Sequence, residues 1–326
     1  MASLNAQRMT FLQMTDQHTS RINHNNSERL PVAVVILNYN AGAMLTECVA
    51  LIPKAASSII VVDNASTDSS LSTLTAQFQN DPRLSIMRNS TNLGFSTGCN
   101  IGCQQATERY ILFLNPDCML EPGSLQHLLQ ALEADPEAGM AGGHIQNPDG
   151  SEQGGGRRDI PSPWRAFVRA SGLYRLEKYW PELFPDFHLH KKPLPDKPIE
   201  VEATTGAMML VRREALQSIG GWDEGYFLHC EDLDLCMRFR QQGWKILFVP
   251  DARAIHYQGT CSKARPVFVA WHKHRGLIRF YRKFFGPAYS PLLMELVICG
   301  VWLRFVLAFL FHSARRIHQS LKPKHG

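Results

Sequence analysis

The chain has 326 residues, of which 44% are hydrophobic and 19% charged, and its formal net charge is +5. That length and apolar content describe a globular protein with a sizeable core and exclude a disordered one. The basic residues gather late in the chain, which suits an acidic membrane surface or a phosphorylated ligand, and no interleaved aromatic and basic surface of the nucleic-acid-reading kind is present.

Residues 1–30 are polar, rich in Asn, Gln, Ser and Thr, and read as a loose tail with no apolar stretch of the secretory type. A β-branched run, Val32 to Leu37, then predicts a first buried strand, stopping at Asn38-Tyr39-Asn40. A helical stretch extends to about Ile52. Ser58 to Val62 predicts a second strand, ending in Asp63-Asn64-Ala65-Ser66-Thr67-Asp68. Leu84 to Met87 predicts a third, which runs into Asn92-Leu93-Gly94-Phe95, with Gly94 and Gly98 suited to a tight loop near a ligand. A helix leads from there to Tyr110 to Leu114, a short, wholly apolar strand that breaks off at Asn115-Pro116-Asp117. Strands alternating with helices at this spacing imply parallel βαβ units, whose ligands bind at the carboxyl ends of the strands.

Polar residues at those ends each admit two readings. Asp63 can hydrogen-bond a ribose or base, or cap the next helix. Tyr39 can stack on a base or pack at the mouth of the sheet. Asp117, with the Asn115 amide two residues earlier, can hold a hard cation and a diphosphate, or close an Asx-Pro turn. The fingerprints GxGxxG and GxxxxGK[ST] are absent, which removes the main support for dinucleotide and P-loop sites.

After Asp117, residues 121–134 predict an amphipathic helix with Leu125, Leu128, Leu129 and Leu132 on one face. Residues 157–200, dense in proline, aromatics and basic residues, predict an irregular excursion with one short helix near Trp164 to Tyr174. Arg157 and Arg158 at its start either meet an acceptor phosphate or form a solvated pair. Order returns at Val201 to Arg212, where Gly206 and Ala207 allow a ligand close to the backbone. Glu231-Asp232-Leu233-Asp234 opens a helix that stops at Gly243. The helix dipole favours ionised Asp232, a candidate catalytic base, and the competing reading is that the three acids simply decorate the first turn. A last strand, Lys245 to Val249, ends at Pro250, a short apolar piece delivers His256, and Gly259-Thr260 permits a turn beneath a phosphate.

Residues 263–326 mix basic and aromatic residues with a strongly apolar run, Leu292 to Phe311, interrupted by Glu295 and Arg304. Two charges fit a helix lying in the membrane interface better than one spanning the bilayer, and a helix packed on a partner subunit is the competing reading. None of the eight cysteines (48, 99, 103, 118, 230, 236, 261 and 299) forms a CxxC pair, which predicts a reduced, largely buried set and a cytoplasmic protein.

Taken in one order, Asn38-Tyr39-Asn40, Asp63-Asn64-Ala65-Ser66-Thr67-Asp68, Asn92-Leu93-Gly94-Phe95, Asn115-Pro116-Asp117 and Glu231-Asp232-Leu233-Asp234 resemble the motif series of family 2 glycosyltransferases. The similarity extends over roughly residues 31–260 and points to the bacterial rhamnosyltransferase-like branch. It implies a GT-A fold, an α/β architecture with a mixed, mostly parallel sheet flanked by helices, over residues 31–262, followed by the membrane-associating helical segment 263–326. It implies an inverting hexosyltransferase that takes a sugar, L-rhamnose from dTDP-rhamnose, to a lipid-linked or saccharide acceptor in cell-surface polysaccharide synthesis, at the cytoplasmic face of the inner membrane. UDP-galactofuranose or a UDP-hexose is the alternative donor, and a silent sugar-nucleotide-binding scaffold the alternative of another class. The implied sites are Asp232 as base, Asp117 and His256 on Mg²⁺ or Mn²⁺, and Asn38, Tyr39, Asn40, Asp63, Asn64, Asn92, Gly94, Asn115, Gly206, Ala207 and Glu231 around the nucleotide sugar. Asn115 stands where the family's metal motif carries its first acid, which leaves Asp117 as the main carboxylate.

Overall fold

A computed structural model describes residues 29–258 and 265–320. The expected tail, but for Arg29 and Leu30, and the Gly259-Thr260 turn lie outside the described residues. The strands are β1 (Leu30–Asn38), β2 (Ala56–Asp63), β3 (Leu84–Arg88), β4 (Tyr110–Leu114), β5 (Cys118–Leu120), β6 (Ala138–Gln146), β7 (Arg157–Arg158), β8 (Ile199–Glu200), β9 (Ala203–Thr204), β10 (Met208–Arg212) and β11 (Lys245–His256). The α-helices are α1 (Ala43–Ala50), α2 (Ser70–Phe78), α3 (Phe95–Gln105), α4 (Ser124–Ala134), α5 (Pro163–Ser171), α6 (Arg213–Ser218), α7 (Glu231–Gln241), α8 (Pro266–Phe284) and α9 (Pro291–Ser320).

Nine strands form the main sheet in the order β3-β2-β1-β4-β10-β6-β11-β5, with β8 added on β11, while β7 and β9 pair apart. Pairings among β1, β2, β3 and β4 and between β6 and β11 are parallel; β10, β5 and β8 run antiparallel to their neighbours. The continuous apolar runs are explained by a two-residue period buried on both sides. Val32, Val34 and Ile36 enter one core with α1, α2 and α4, whereas Ala33 and Val35 enter a second with α3, α6, α7 and α8.

Three local expectations are corrected. Gly94 to Asn100 is not a loop: α3 begins at Phe95, capped by Gly94 at φ 86°, and Gly98 lies inside the helix against Leu37, where a methyl group would collide. β11 does not stop at Pro250 but continues to His256 through an irregular register between Val249 and Arg253, which accommodates the missing N–H. The third is β6, an interior strand absent from the sequence reading because Gly139, Ala141, Gly142 and Gly143 are poor strand formers. Here they are required: a Cβ on Gly142 would strike Thr204, and one on Gly143 the Ala252 carbonyl.

The late helices join the domain. Ile278, Phe280 and Tyr281 of α8 are buried in the second core, and Met294, Ile298 and Val301 of α9 pack on it at helical spacing. Arg279 and Lys283 of α8 pair with Asp223, and Lys283 also with Asp234 at 2.7 Å. Pro291–Phe311 is long and apolar enough to cross a membrane, with mean hydropathy 2.1 and 17% of its apolar window buried. Leu296, Leu303 and Leu307 are 61, 62 and 59% exposed. Of the seven described cysteines, all free thiols, only Cys299 is exposed.

Candidate active site

In the register of the sheet Asn38 stands opposite Asp63 and Ile36 opposite Leu114, so β1, β2 and β4 end together. The strand order reverses between β1 and β4, which leaves a crevice at their carboxyl ends. A cavity of about 400 Å³ occupies it, and Tyr39, Asn64, Asn92, Gly94, Asn115, Asp117, Gly206, Ala207, Glu231, Asp232 and His256 line its wall.

Asn38, Asn40 and Asp63 are not among the residues that line the cavity. The Asn38 amide donates to Asp63 Oδ1 at 2.8 Å, Ser66 Oγ at 3.0 Å and Ser70 Oγ at 2.9 Å, and Asp63 Oδ2 accepts from the Ser66 N–H at 3.0 Å. Asn40, at φ 53°, accepts from the Thr67 and Asp68 amides. These three residues brace the β1 and β2 loops against each other, and the β1 loop presents Tyr39. Asn64 is buried with its amide on Asn92 Oδ1 and the Gly94 carbonyl, so it fixes the loop that caps α3. Gly94 cannot be larger, because a Cβ there would sit 2.8 Å from the Phe227 carbonyl.

Asp117 and His256 meet because β11 pairs with β5: His256 lies opposite Cys118, one residue from Asp117, and the Tyr257 N–H donates to the Asp117 carbonyl at 2.9 Å. His256 Nε2 is 3.1 Å from Asp117 Oδ1 and 3.5 Å from Asn115 Nδ2, and both acid and imidazole are buried. Among the described residues no cluster of three or more His, Cys, Asp or Glu exists that would hold a metal ion alone. One carboxylate, one imidazole and an amide oxygen are too few for a closed protein site. They fit an open one, in which a six-coordinate oxygen-seeking cation shares its shell with water and a ligand's phosphates.

Asp232 stands in the first turn of α7, behind two consecutive left-handed residues, His229 at φ 68° and Cys230 at φ 70°. That turn aims the side chain into the cavity while Asp232 Oδ1 accepts from the Leu233 N–H at 2.8 Å. Asp232 Oδ2 accepts from Arg158 at 2.6 Å. Each oxygen keeps a lone pair free, so the carboxylate can take a proton from a hydroxyl. Beside it, Glu231 Oε2 is buried with no hydrogen-bond partner. Burial, and then the neighbouring Asp232 charge, push the Glu231 carboxyl up toward its protonated form. Of the three acids expected at the helix start, Asp234 is not decoration but fully buried, bridging Arg238 and Lys283.

His229 lines the cavity too. Burial, and then the Lys273 charge, push its imidazole down to about 4; Arg158 and His272 act in the same sense and Asp232 opposes them. An unfolded histidine titrates near 6.5, so below that pH the unfolded chain binds the extra proton and native stability falls. Between pH 6.5 and 4 the loss is on the order of 3 kcal/mol. Urea unfolding at pH 7 and pH 4.5 should therefore show a smaller acid penalty for His229→Asn than for wild type; parallel penalties would remove His229 as the source.

The sequence reading missed Gln153 and left the roles of Arg157 and Arg158 open between two readings. Gln153 Oε1 accepts from His256 Nδ1 at 2.7 Å, and a lone glutamine in a glycine-rich segment carries no signal. Arg157 and Arg158 are not a solvated pair: Arg157 is 3% exposed, bound to Glu152 and to the Lys192 and Pro193 carbonyls, while Arg158 reaches Asp232. Only the pairing of β7 with β9 separates their directions.

Residues 33–220, more than half of the chain, match the profile of Glycosyl transferase family 2. The N-acetylglucosaminyl-diphospho-decaprenol L-rhamnosyltransferase of Mycobacterium tuberculosis (strain CDC 1551 / Oshkosh) is 31% identical over 256 residues, 74% of this chain and 81% of the relative. Rhamnosyltransferase WbbL of Escherichia coli (strain K12) is 28% identical over 162 residues, 47% of this chain and 53% of WbbL. Among solved structures, the mannosyltransferase PcManGT from Pyrobaculum calidifontis, in complex with GDP-Man and Mn²⁺, superposes with a TM-score of 0.55 at 15% identity, over 99% of this chain and 85% of that one, a likeness of fold alone. The chain belongs to glycosyltransferase family 2 and is a glycosyltransferase.

Proposed function

We propose that the protein transfers L-rhamnose, with inversion, from dTDP-L-rhamnose to a saccharide carried on a lipid diphosphate, in the assembly of a cell-surface polysaccharide. The observation that carries this reading is the convergence, in one cavity of a family 2 chain, of the Asp117–His256 pair and Asp232 with its Arg158 partner. The choice of sugar and acceptor is supported by the 31% identity to a rhamnosyltransferase whose name specifies a diphospho-decaprenol acceptor.

In this reading Tyr39, Asn64, Asn92 and Gly94 receive the nucleoside, and Asn38, Asn40 and Asp63 shape the loops that carry them. Asn115, Asp117 and His256 would hold Mg²⁺ or Mn²⁺, beside the space for the diphosphate. When bound, the cation neutralises negative charge on the leaving diphosphate. Gly206 and Ala207 let the sugar approach the backbone, and Glu231, held toward its protonated form, donates to a sugar hydroxyl. Asp232 takes the proton of the acceptor hydroxyl. The oxygen forms its bond to the anomeric carbon from the face opposite the nucleotide, the bond to the diphosphate oxygen breaks, and the nucleoside diphosphate leaves with that electron pair.

Thermal unfolding with dTDP, UDP or GDP, each with and without Mn²⁺, tests the donor, since a ligand of the native state raises the midpoint. The expected result is a Mn²⁺-dependent rise with dTDP exceeding those with the other two. A larger rise with UDP would replace rhamnose by a UDP-sugar; no rise with any nucleotide would favour a silent scaffold.

The enzyme is proposed to lie on the cytoplasmic face of the membrane through the outer face of α9, with residues 31–262 as the catalytic body. Support comes from the exposed row Leu296, Leu303 and Leu307 opposite the residues packed on α8. Burying three leucines in lipid is worth on the order of 4 kcal/mol. The triple variant Leu296→Asp, Leu303→Asp, Leu307→Asp should then lose sedimentation with phosphatidylglycerol vesicles more than about 100-fold, with its unfolding midpoint unmoved. Undiminished sedimentation would exclude this face.

A further inference from the structure

The cations of the late helices divide into two sets. Arg279 and Lys283 are paired with Asp223 or Asp234, and Arg282 with Glu295. Arg265, Lys273, Arg275 and Arg304 have no carboxylate within ion-pair distance among the described residues. Of these, Lys273 and Arg304 are neighbours, because α8 and α9 pack through Trp271 on Trp302 at 5.2 Å, Trp271 on Phe305 at 5.6 Å and His274 on Phe305 at 5.5 Å. Lys273 is also held near the start of α7: its carbonyl accepts from Cys230 Sγ at 3.7 Å, and Gly276, one turn on, abuts the His229 carbonyl. It lies in the field of both Arg304 and the Arg158–Asp232 pair. Arg158 retains a buried Nε with no acceptor.

Three positive charges thus gather around one carboxylate, Asp232, which itself lines the cavity. The two charges that it does not neutralise favour an anion. The sequence of chemistry along the surface is base, then cations, then the exposed apolar face of α9. Building on the acceptor reading above, we infer that Arg158, Lys273 and Arg304 seat the diphosphate of the acceptor, one sugar ring from the hydroxyl at Asp232, and that the lipid chain runs along α9 past Leu303 and Leu307. Arg304, otherwise an isolated charge in an apolar helix, is in this arrangement the partner of the diphosphate where it meets the lipid chain.

The test titrates full-length protein in detergent with farnesyl diphosphate, farnesol and inorganic pyrophosphate, and repeats the titrations with Lys273→Ala and Arg304→Ala. Farnesyl diphosphate should bind at least about ten-fold more tightly than either fragment, and each variant should lose about ten-fold in that affinity alone, as expected for a lost charge-assisted contact. Variant folding is read from the dTDP-induced thermal shift. Equal affinity for farnesol, or undiminished affinity in both folded variants, overturns the site. So does a loss confined to phosphatidylglycerol vesicles, which makes the cations a bilayer contact. Transfer to farnesyl-diphosphate-linked N-acetylglucosamine separates the two levels. Transfer with unchanged KM in both variants sinks the site and leaves the acceptor reading; charge-dependent farnesyl diphosphate binding without transfer keeps the site and removes that acceptor.

Discussion

Replacing Asp232 by Asn should lower kcat for sugar transfer by about 10³-fold, within the range that a general base contributes, while the nucleotide-induced thermal shift stays near the wild-type value. The amide keeps the shape and the Leu233 N–H contact of the acid but cannot take a proton. Arg158 loses its ionic partner in the variant, so some loss of stability accompanies the loss of rate. The split between rate and donor binding is what identifies a base, because a merely structural acid would lower both. Steady-state transfer retained above about a tenth of wild type would transfer the role elsewhere, with Glu231 the next carboxyl in the cavity wall.

Replacing Asp117 by Ala should weaken Mn²⁺-dependent donor binding by about 100-fold, on the order of 3 kcal/mol, and should bring the affinities with and without the cation together. Asp117 supplies the one carboxylate of its group, and its removal leaves His256 Nε2 with only the Asn115 amide at 3.5 Å. Calorimetric titration of the donor nucleotide with and without Mn²⁺ reads this directly. A variant whose affinity still rises with Mn²⁺ as in wild type would show that the cation sits on other ligands.

The strand-end logic was legible because buried strands are written as unbroken apolar runs, and what interrupts them must face the crevice or brace it. Asn115-Pro116-Asp117 after Tyr110 to Leu114, and Glu231-Asp232 at a helix start, could be singled out on that ground. Burial against brace could not. Asn38 and Asp63 carry the same polar chemistry as Tyr39 and Asn64, yet a register that sets them side by side turns them toward each other. β6 was illegible for the opposite reason: its glycines answer to Thr204 and Ala252, contacts far away in the chain.

By itself, then, the order of apolar runs and the polar residues that end them determined the α/β architecture and set acids at strand and helix ends, while the family was read from the resemblance of the motif series. Local propensity and side-chain chemistry are properties of neighbouring residues, and these features need nothing more. The pairing of Asp117 with His256, 139 positions apart, of Arg158 with Asp232, 74 positions apart, and the approach of Lys273 to Arg304 were decided only by tertiary structure. Each depends on strand register or helix packing, which sum weak contacts across the whole core and leave no local trace in the residues they bring together.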